Sequence, residues 1–209
     1  IVVHEVAHGY ASYRLGDPTA KARGRLSLNP LKHIDPFGTV ILPLLLAATN
    51  LPVFGYAKPV PINPHYYRDY RKGMLLSGLA GPASNLVMAL VAGLAFRAIA
   101  AGMGLVGGSL SDAAFSAGSW VVTALYMFAY INLVLMFFNL IPMPPLDGSR
   151  VLPVFLSNRG LRLYNRFEQY GVAVFFIALM VLPRVLNIDL IGGYFGITVE
   201  PELRLLTGV

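Results

Sequence analysis

Two long apolar stretches limit what this chain of 209 residues can fold into. Residues 73–106 and 120–143 each exceed the roughly 20 apolar residues that a helix needs to cross a bilayer. Charged residues make up 12% of the chain, against about 25% in soluble domains, and the mean hydropathy is +0.64. The sequence therefore predicts an all-α membrane protein with several crossings. Its length leaves room for a single domain over residues 1–209 and for no large soluble module.

The net charge and the absence of cysteine exclude some partners and some metal ligands. The net charge is +6, which in a membrane protein indicates cytoplasmic loops and contact with anionic lipid, with no nucleic-acid partner. The chain has no cysteine, so disulfides and thiolate metal ligands are excluded. The oligomeric state leaves no signal in the sequence.

The pentapeptide HEVAH at residues 4–8 matches the pattern H-E-x-x-H. Two histidines four residues apart lie on one face of a helix, so His4 and His8 can bind one cation, and zinc readily takes neutral imidazole nitrogen. Glu5 lies about 100° around the helix and can take a proton from a water on that metal without being a ligand. The alternative is a chance match on an ordinary helix. Apolar neighbours favour the metal site, because unpaired charge is costly among them.

Four other segments have patterns of their own. Residues 24–28 alternate between polar and apolar and could pair as short strands, which predicts a small β region. Residues 37–54 are apolar but short and are interrupted by glycine and proline, so we expect a re-entrant segment. Three prolines in residues 55–70 exclude a helix there and predict extended backbone. The tail from residue 187 is compatible with a final span or with an interfacial helix.

Basic residues are concentrated in the loops that a re-entrant segment would place on one side. Of the 16 lysines and arginines, 13 lie in residues 14–35, 55–72 and 149–169, and the opposite loop, residues 107–119, has none. The positive-inside rule then places this basic face, with the histidine motif and Asp147 near it, in the cytoplasm. We expect an integral protein of a bacterial-type plasma membrane with its active site toward the cytoplasmic side.

A catalytic zinc site needs a third protein ligand besides two histidines. The candidates are His33, His65, Asp35, Asp69 and Asp147. Asp147 follows an apolar span and a proline-rich turn, where a lone carboxylate needs a partner, but a capping aspartate before Gly148 fits equally well. His33 is more often a hydrogen-bonded turn residue than a ligand, and His65 is better explained as an interfacial residue.

Asn85 leaves two alternatives open. It lies three residues after Pro82, which should kink the first long apolar helix and free backbone carbonyls. Its amide could satisfy one of those carbonyls, or it could lie near the active site.

Five short motifs follow one another over residues 1–150. They are HEVAHG at 4–9, NPLKHIDPFGT at 29–39, GYAKPVPINP at 55–64, GPASN at 81–85 and NLIPMPPLDG at 139–148. In this order they resemble the site-2 protease family of intramembrane zinc metalloproteases. The resemblance implies a helical bundle in the membrane with a little β structure at its cytoplasmic side.

The same resemblance implies a set of roles. His4, His8 and Asp147 would bind zinc, Glu5 would be the general base, and Asn139 would position substrate or stabilise the oxyanion. The implied activity is hydrolysis of peptide bonds within or near transmembrane helices of membrane-anchored substrates, so the partners are such substrates and the lipid bilayer. The chain lacks the transmembrane helix that precedes HEVAH in the family, and we expect this N-terminal segment to have been truncated.

Two rival functions would use the same residues. A metal transporter would need several weak transit sites, whereas the sequence offers one intramembrane cluster. A non-catalytic membrane chaperone or scaffold that binds helices would normally have lost the general base or a metal ligand. This chain retains all four of these residues, His4, Glu5, His8 and Asp147. The protease hypothesis is therefore preferred.

Overall fold

The structure is a computed structural model that describes residues 1–49, 53, 55–106, 108 and 111–209. The described residues are mostly helical, as predicted. Two of their helices are long and apolar enough to span a membrane, Tyr70–Val106 (α4) and Asp112–Leu140 (α5). The chain divides into two compact units, residues 1–81 with 153–155 and residues 82–152 with 156–209.

The first unit is built from short helices joined by capped turns. Its elements are α1 (Val2–Arg14), α2 (Thr19–Ala22), a 3₁₀ turn (Pro30–His33), a π-helical turn (Pro36–Ile41) that runs into α3 (Leu42–Ala48), a 3₁₀ turn (Pro64–Tyr66) and the first part of α4. Asn29, Asp35 and Asn63 each cap the turn that follows by accepting a hydrogen bond from a backbone N–H. A proline follows each of them, and the first position of a helix suits proline.

The apolar helix formed by residues 36–48 is too short to cross a bilayer. Its 13 residues reach about 20 Å, whereas the hydrocarbon core is about 30 Å thick. That residues 37–54 form a re-entrant segment stays a prediction. The predicted turn back falls in part on residues 50–52 and 54, which lie outside the described residues.

The predicted small β region around residues 24–28 is not found, and none of the residues that the structure describes forms a strand. A side chain joins this loop to the extended segment instead, because the Arg25 guanidinium donates to the carbonyls of Lys58, at 2.6 Å, and Pro59, at 3.3 Å. The prolines within residues 55–63 remove backbone donors that a ladder would need. Residues 55–63 contain no helix, as predicted. The prediction is wrong within residues 64–70, because Pro64–Tyr66 form a 3₁₀ turn capped by Asn63 and α4 begins at Tyr70.

The second unit has a core of small side chains between long helices. Its elements are the rest of α4, α5, α6 (Gly148–Val151), α7 (Asn158–Glu168), α8 (Gly171–Phe176), a π-helical turn (Ile177–Val181), α9 (Leu182–Leu186) and α10 (Leu190–Thr207). Buried residues of α4, α5 and α10 form the core: Ala89, Ala92, Ala129, Leu133, Val199 and Leu203. Alanine lets helices approach closely. The tail therefore ends in a helix packed on α5.

The second spanning helix begins earlier than its apolar run suggests. Residues 112–119, predicted as a loop, form its first two turns, because the Ser111 side chain caps the helix by accepting from the N–H of Ala114. The helix ends at Leu140 instead of residue 143, two residues before Pro142.

Candidate metal centre

One face of α1 is polar and buried. His4, His8 and Ser12 follow one another at intervals of four residues, and their exposed fractions are 6%, 3% and 0%. The Nε2 atoms of the two histidines lie 3.0 Å apart, and the rings are nearly perpendicular, with centroids 4.6 Å apart. The sequence spacing thus brings both imidazole nitrogens to one point, as the motif predicts.

A backbone carbonyl orients His8. Nδ1 of His8 donates to the carbonyl oxygen of Ser77 at 2.6 Å. Because a carbonyl only accepts, the ring proton is assigned to Nδ1, and the lone pair of a neutral ring is then on Nε2. Metal-binding histidines commonly donate their other ring N–H in this way, which fixes the tautomer and the ring orientation.

Gly81 of α4 lets its helix pass close to both Nε2 atoms. A Cβ atom built on Gly81 would lie 2.2 Å from Nε2 of His8 and 2.6 Å from Nε2 of His4. Zinc binds imidazole nitrogen at about 2.0–2.1 Å and is held by nitrogen and oxygen donors. The two converging nitrogens and the His8 tautomer therefore fit a zinc ion.

The extended segment holds the carboxylate of Glu5. The backbone N–H of Val60 donates to Oε2 of Glu5 at 3.0 Å, and Val60 is itself buried. This bond fixes one carboxylate oxygen and leaves Oε1 for another partner. Glu5 is therefore positioned by backbone from outside its own helix.

A second buried carboxylate ties the end of α1 to the same extended segment. Asp17 is fully buried and accepts hydrogen bonds from the Ser12 hydroxyl, from the backbone and hydroxyl of Thr19, and from the backbone N–H of Asn63. Burial alone would raise the pKa of Asp17, but the hydrogen bonds outweigh it, and the pKa lies below its ordinary value.

Replacing Asp17 by asparagine should destabilise the protein at pH 7 by roughly 2–3 kcal/mol, because buried hydrogen bonds to a charged group are lost. The pKa is lowered on folding, so this contribution is complete above the unfolded value of about 3.9 and disappears as pH falls through the folded value. Thermal unfolding in detergent from pH 7 to pH 3 should show the difference between wild type and Asp17→Asn shrinking. The exposed Asp112→Asn variant is the control, and a difference that does not change with pH would contradict the assignment.

The other candidate ligands of the first unit take part in local turns. Asp35 and Asp69 accept from backbone N–H groups at the starts of the helical segments that follow them. Nε2 of His33 donates to a backbone carbonyl, that of Ser27, at 2.8 Å, and Nδ1 of His65 donates to the side chain of Asn63. The expectation that His33 is a hydrogen-bonded turn residue is confirmed.

Asp147 belongs to the second unit and is buried, with 8% of its surface exposed. It starts α6, but its side chain makes no capping hydrogen bond to the described backbone. The Arg150 guanidinium lies 3.6 Å from its Oδ1. The helix-capping alternative is therefore not supported. A Cβ on Gly148 would lie 2.3 Å from the carbonyl oxygen of Leu140, so this turn folds back tightly on the end of α5.

The two asparagines of interest are placed differently. Nδ2 of Asn139 donates to the carbonyl oxygen of Leu135, one turn earlier in α5, at 2.9 Å; its role toward substrate stays a prediction. Asn85 is fully buried, and neither polar atom of its amide has a hydrogen-bond partner among the described residues. The Asn85 amide therefore does not satisfy a backbone carbonyl freed by Pro82, and this first alternative is wrong.

Three supporting groups leave little signal in the sequence. Ser77 contributes a backbone carbonyl and Val60 a backbone N–H, and any residue except proline at position 60 could supply these groups. Gly81 belongs to the GPASN motif, whose proline predicts a kink and gives no indication of a histidine contact.

Comparison with known proteins gives a consistent set of matches. The family model described as "Peptidase family M50" matches residues 1–182. "Putative zinc metalloprotease YwhC" of Bacillus subtilis (strain 168) is 39% identical over 182 residues, which cover 87% of this chain and 76% of that protein. No solved structure shows a comparable match.

Two mycobacterial proteins are more distant relatives. "Putative zinc metalloprotease Rip2" of Mycolicibacterium smegmatis is 28% identical over 186 residues, which cover 88% of this chain and 64% of that protein. The protein of the same name from Mycobacterium tuberculosis (strain H37Rv) is 28% identical over 198 residues, covering 94% of this chain and 67% of the relative.

Proposed function

Because the chain belongs to peptidase family M50 and is therefore a membrane zinc metalloprotease, we propose that it hydrolyses peptide bonds within or near the transmembrane helices of membrane-anchored proteins. The observation on which this depends is the convergence of the His4 and His8 nitrogens beside Gly81, with Glu5 on the same turn. Such an arrangement suits hydrolysis, because it combines a metal site with a carboxylate that is not needed as a ligand.

His4, His8 and Asp147 are the ligands that we assign to zinc. The His8 tautomer places a lone pair on Nε2, and Asp147 is a buried carboxylate with the Arg150 guanidinium 3.6 Å away. The other carboxylates considered, Asp35 and Asp69, are occupied at the starts of helical segments. When bound, zinc lowers the pKa of a coordinated water to about 7 and polarises the substrate carbonyl.

Glu5 acts as the general base. Its Oε2 is held by the N–H of Val60, so Oε1 is the atom that takes a proton from the attacking water and later passes it to the leaving amide nitrogen. Asn139 already donates one amide proton to its own helix. Its second amide proton would be available to the substrate or to the developing oxyanion.

The active site faces the cytoplasm in this proposal. The support is the charge asymmetry of the loops, in which 13 of 16 basic residues lie in the segments assigned to that side. The substrate is a membrane-anchored protein that reaches the site from the lipid bilayer.

Purified protein in proteoliposomes tests this function against its rivals. We expect cleavage of a co-reconstituted reporter with one transmembrane helix, its arrest by a zinc chelator and its recovery when zinc is returned. A zinc-sensitive dye inside the vesicles should record no protein-dependent flux. Zinc flux without cleavage would indicate a transporter, and stable reporter binding without cleavage would indicate a scaffold.

A further inference from the structure

Helix α7 presents three arginines on one side. Arg159, Arg162 and Arg166 are spaced by three and four residues, so their side chains lie on one face. Tyr164 lies on the opposite face, and its hydroxyl donates to the carbonyl oxygen of Ser149 at 3.0 Å. This bond holds α7 against α6 within the second unit and leaves the arginine face outward.

The three guanidinium groups are available to a ligand. Within the part of the chain that the structure describes, none of them has an ion-pair or hydrogen-bond partner. Together with Ser157, Gly160 and Leu163 they line an open cleft of about 590 Å³. Glu168 is the single carboxylate in residues 148–188, so acidic neighbours along the chain do little to neutralise the cleft.

Exposed apolar side chains border the arginine face. Leu163, Phe167 and Tyr170 are 57%, 63% and 59% exposed. On a helical wheel Leu163 and Phe167 fall between the arginines and Tyr164, at about 100° per residue. A helix with a basic stripe beside an apolar stripe is suited to lie in the interface plane of a membrane.

We propose that the α7 cleft binds the headgroup of an anionic phospholipid. A guanidinium matches the geometry of a phosphate and can bind two of its oxygens at once. The neighbouring apolar stripe fits the acyl boundary of the same lipid, whereas a free phosphate in solution would leave Leu163 and Phe167 exposed to water. The site lies outside the proposed zinc centre and does not depend on the protease assignment.

Titration of the full chain in detergent micelles with phosphatidylglycerol and with phosphatidylcholine tests this site. R159Q/R162Q/R166Q should bind phosphatidylglycerol about a hundredfold more weakly than wild type, since each arginine near an anionic surface contributes about fivefold. R159K/R162K/R166K should stay within about tenfold of wild type, because the charge is retained. Circular dichroism on heating checks that each variant is folded.

R23Q/R68Q/K72Q is the matched control, because it removes the same charge from three exposed positions elsewhere. It should bind within about threefold of wild type if the cleft itself is the site. Three results would overturn the proposal: unchanged binding by the glutamine variant of α7, an equal loss in the control, or equal affinity for phosphatidylcholine. Displacement of the lipid by inorganic phosphate at comparable concentration would likewise overturn it, since a soluble anion would then be the ligand.

Discussion

Replacing Gly81 by alanine is expected to remove zinc from the protein and to stop cleavage of a membrane-anchored reporter. The new Cβ would lie 2.2 Å from Nε2 of His8 and 2.6 Å from Nε2 of His4, so both rings must move. A displacement of about 1 Å in a catalytic group can cost about 10²-fold in rate. We therefore expect at least that loss in cleavage, together with substoichiometric zinc by elemental analysis.

Gly104→Ala is the matched control for this variant. Gly104 lies in the same helix, and a Cβ there would meet nothing within 4 Å. Alanine favours a helix over glycine by about 1 kcal/mol, so Gly104→Ala should unfold no earlier than wild type. In Gly81→Ala the overpacking against the two rings, about 1–3 kcal/mol, offsets that gain, and thermal unfolding checks that this variant is folded. Normal zinc content and normal cleavage in Gly81→Ala would show that the two histidine nitrogens do not converge beside this glycine.

The Glu5→Gln variant should retain zinc and lose cleavage. Glutamine has nearly the same shape, and its amide oxygen can still accept the N–H of Val60, but it cannot take a proton. A general base contributes about 10²–10⁴-fold to a rate. The reporter assay should fall by a factor in this range while elemental analysis still finds one zinc per chain.

Glu202→Gln provides the comparison, because Glu202 is exposed in α10 and undergoes the same change in chemistry. It should cleave like wild type. Wild-type cleavage by Glu5→Gln would exclude Glu5 as the base, and loss of zinc from that variant would place Glu5 among the ligands.

The histidine pair could be predicted from the sequence because its geometry is local. Two residues four apart in a helix are brought together by helix geometry alone, and the structure places the nitrogens of His4 and His8 3.0 Å apart. The spanning helices could be predicted because length and hydropathy decide them.

The groups that support the site could not be predicted in the same way. Val60 and Ser77 contribute a backbone N–H and a backbone carbonyl, so the identity of their side chains does not indicate these contacts. Their positions depend on tertiary contacts 55 and 69 residues apart along the chain. The role of Gly81 is ambiguous in the sequence, because a glycine beside a proline can indicate either a helix kink or a close contact with another element.

The predicted β region shows that alternation over five residues is a weak signal. Residues 24–28 follow the alternating pattern, yet the long side chain of Arg25 bonds to backbone carbonyls in place of a second strand. The start of α5 shows that hydropathy alone does not fix where a helix begins. The apolar run starts at residue 120, but Ser111 caps the helix and extends it eight residues further toward the N-terminus.

The zinc affinity of Asp147→Ala, measured by competition with a chromogenic chelator, tests the proposed ligand set most directly. Loss of an outer partner of a metal ligand already costs about 10–100-fold in affinity, so loss of a ligand itself should cost at least about a hundredfold. Asp112→Ala, the same change at an exposed aspartate, should leave the affinity unchanged. Wild-type affinity in Asp147→Ala would contradict a zinc site made by His4, His8 and Asp147.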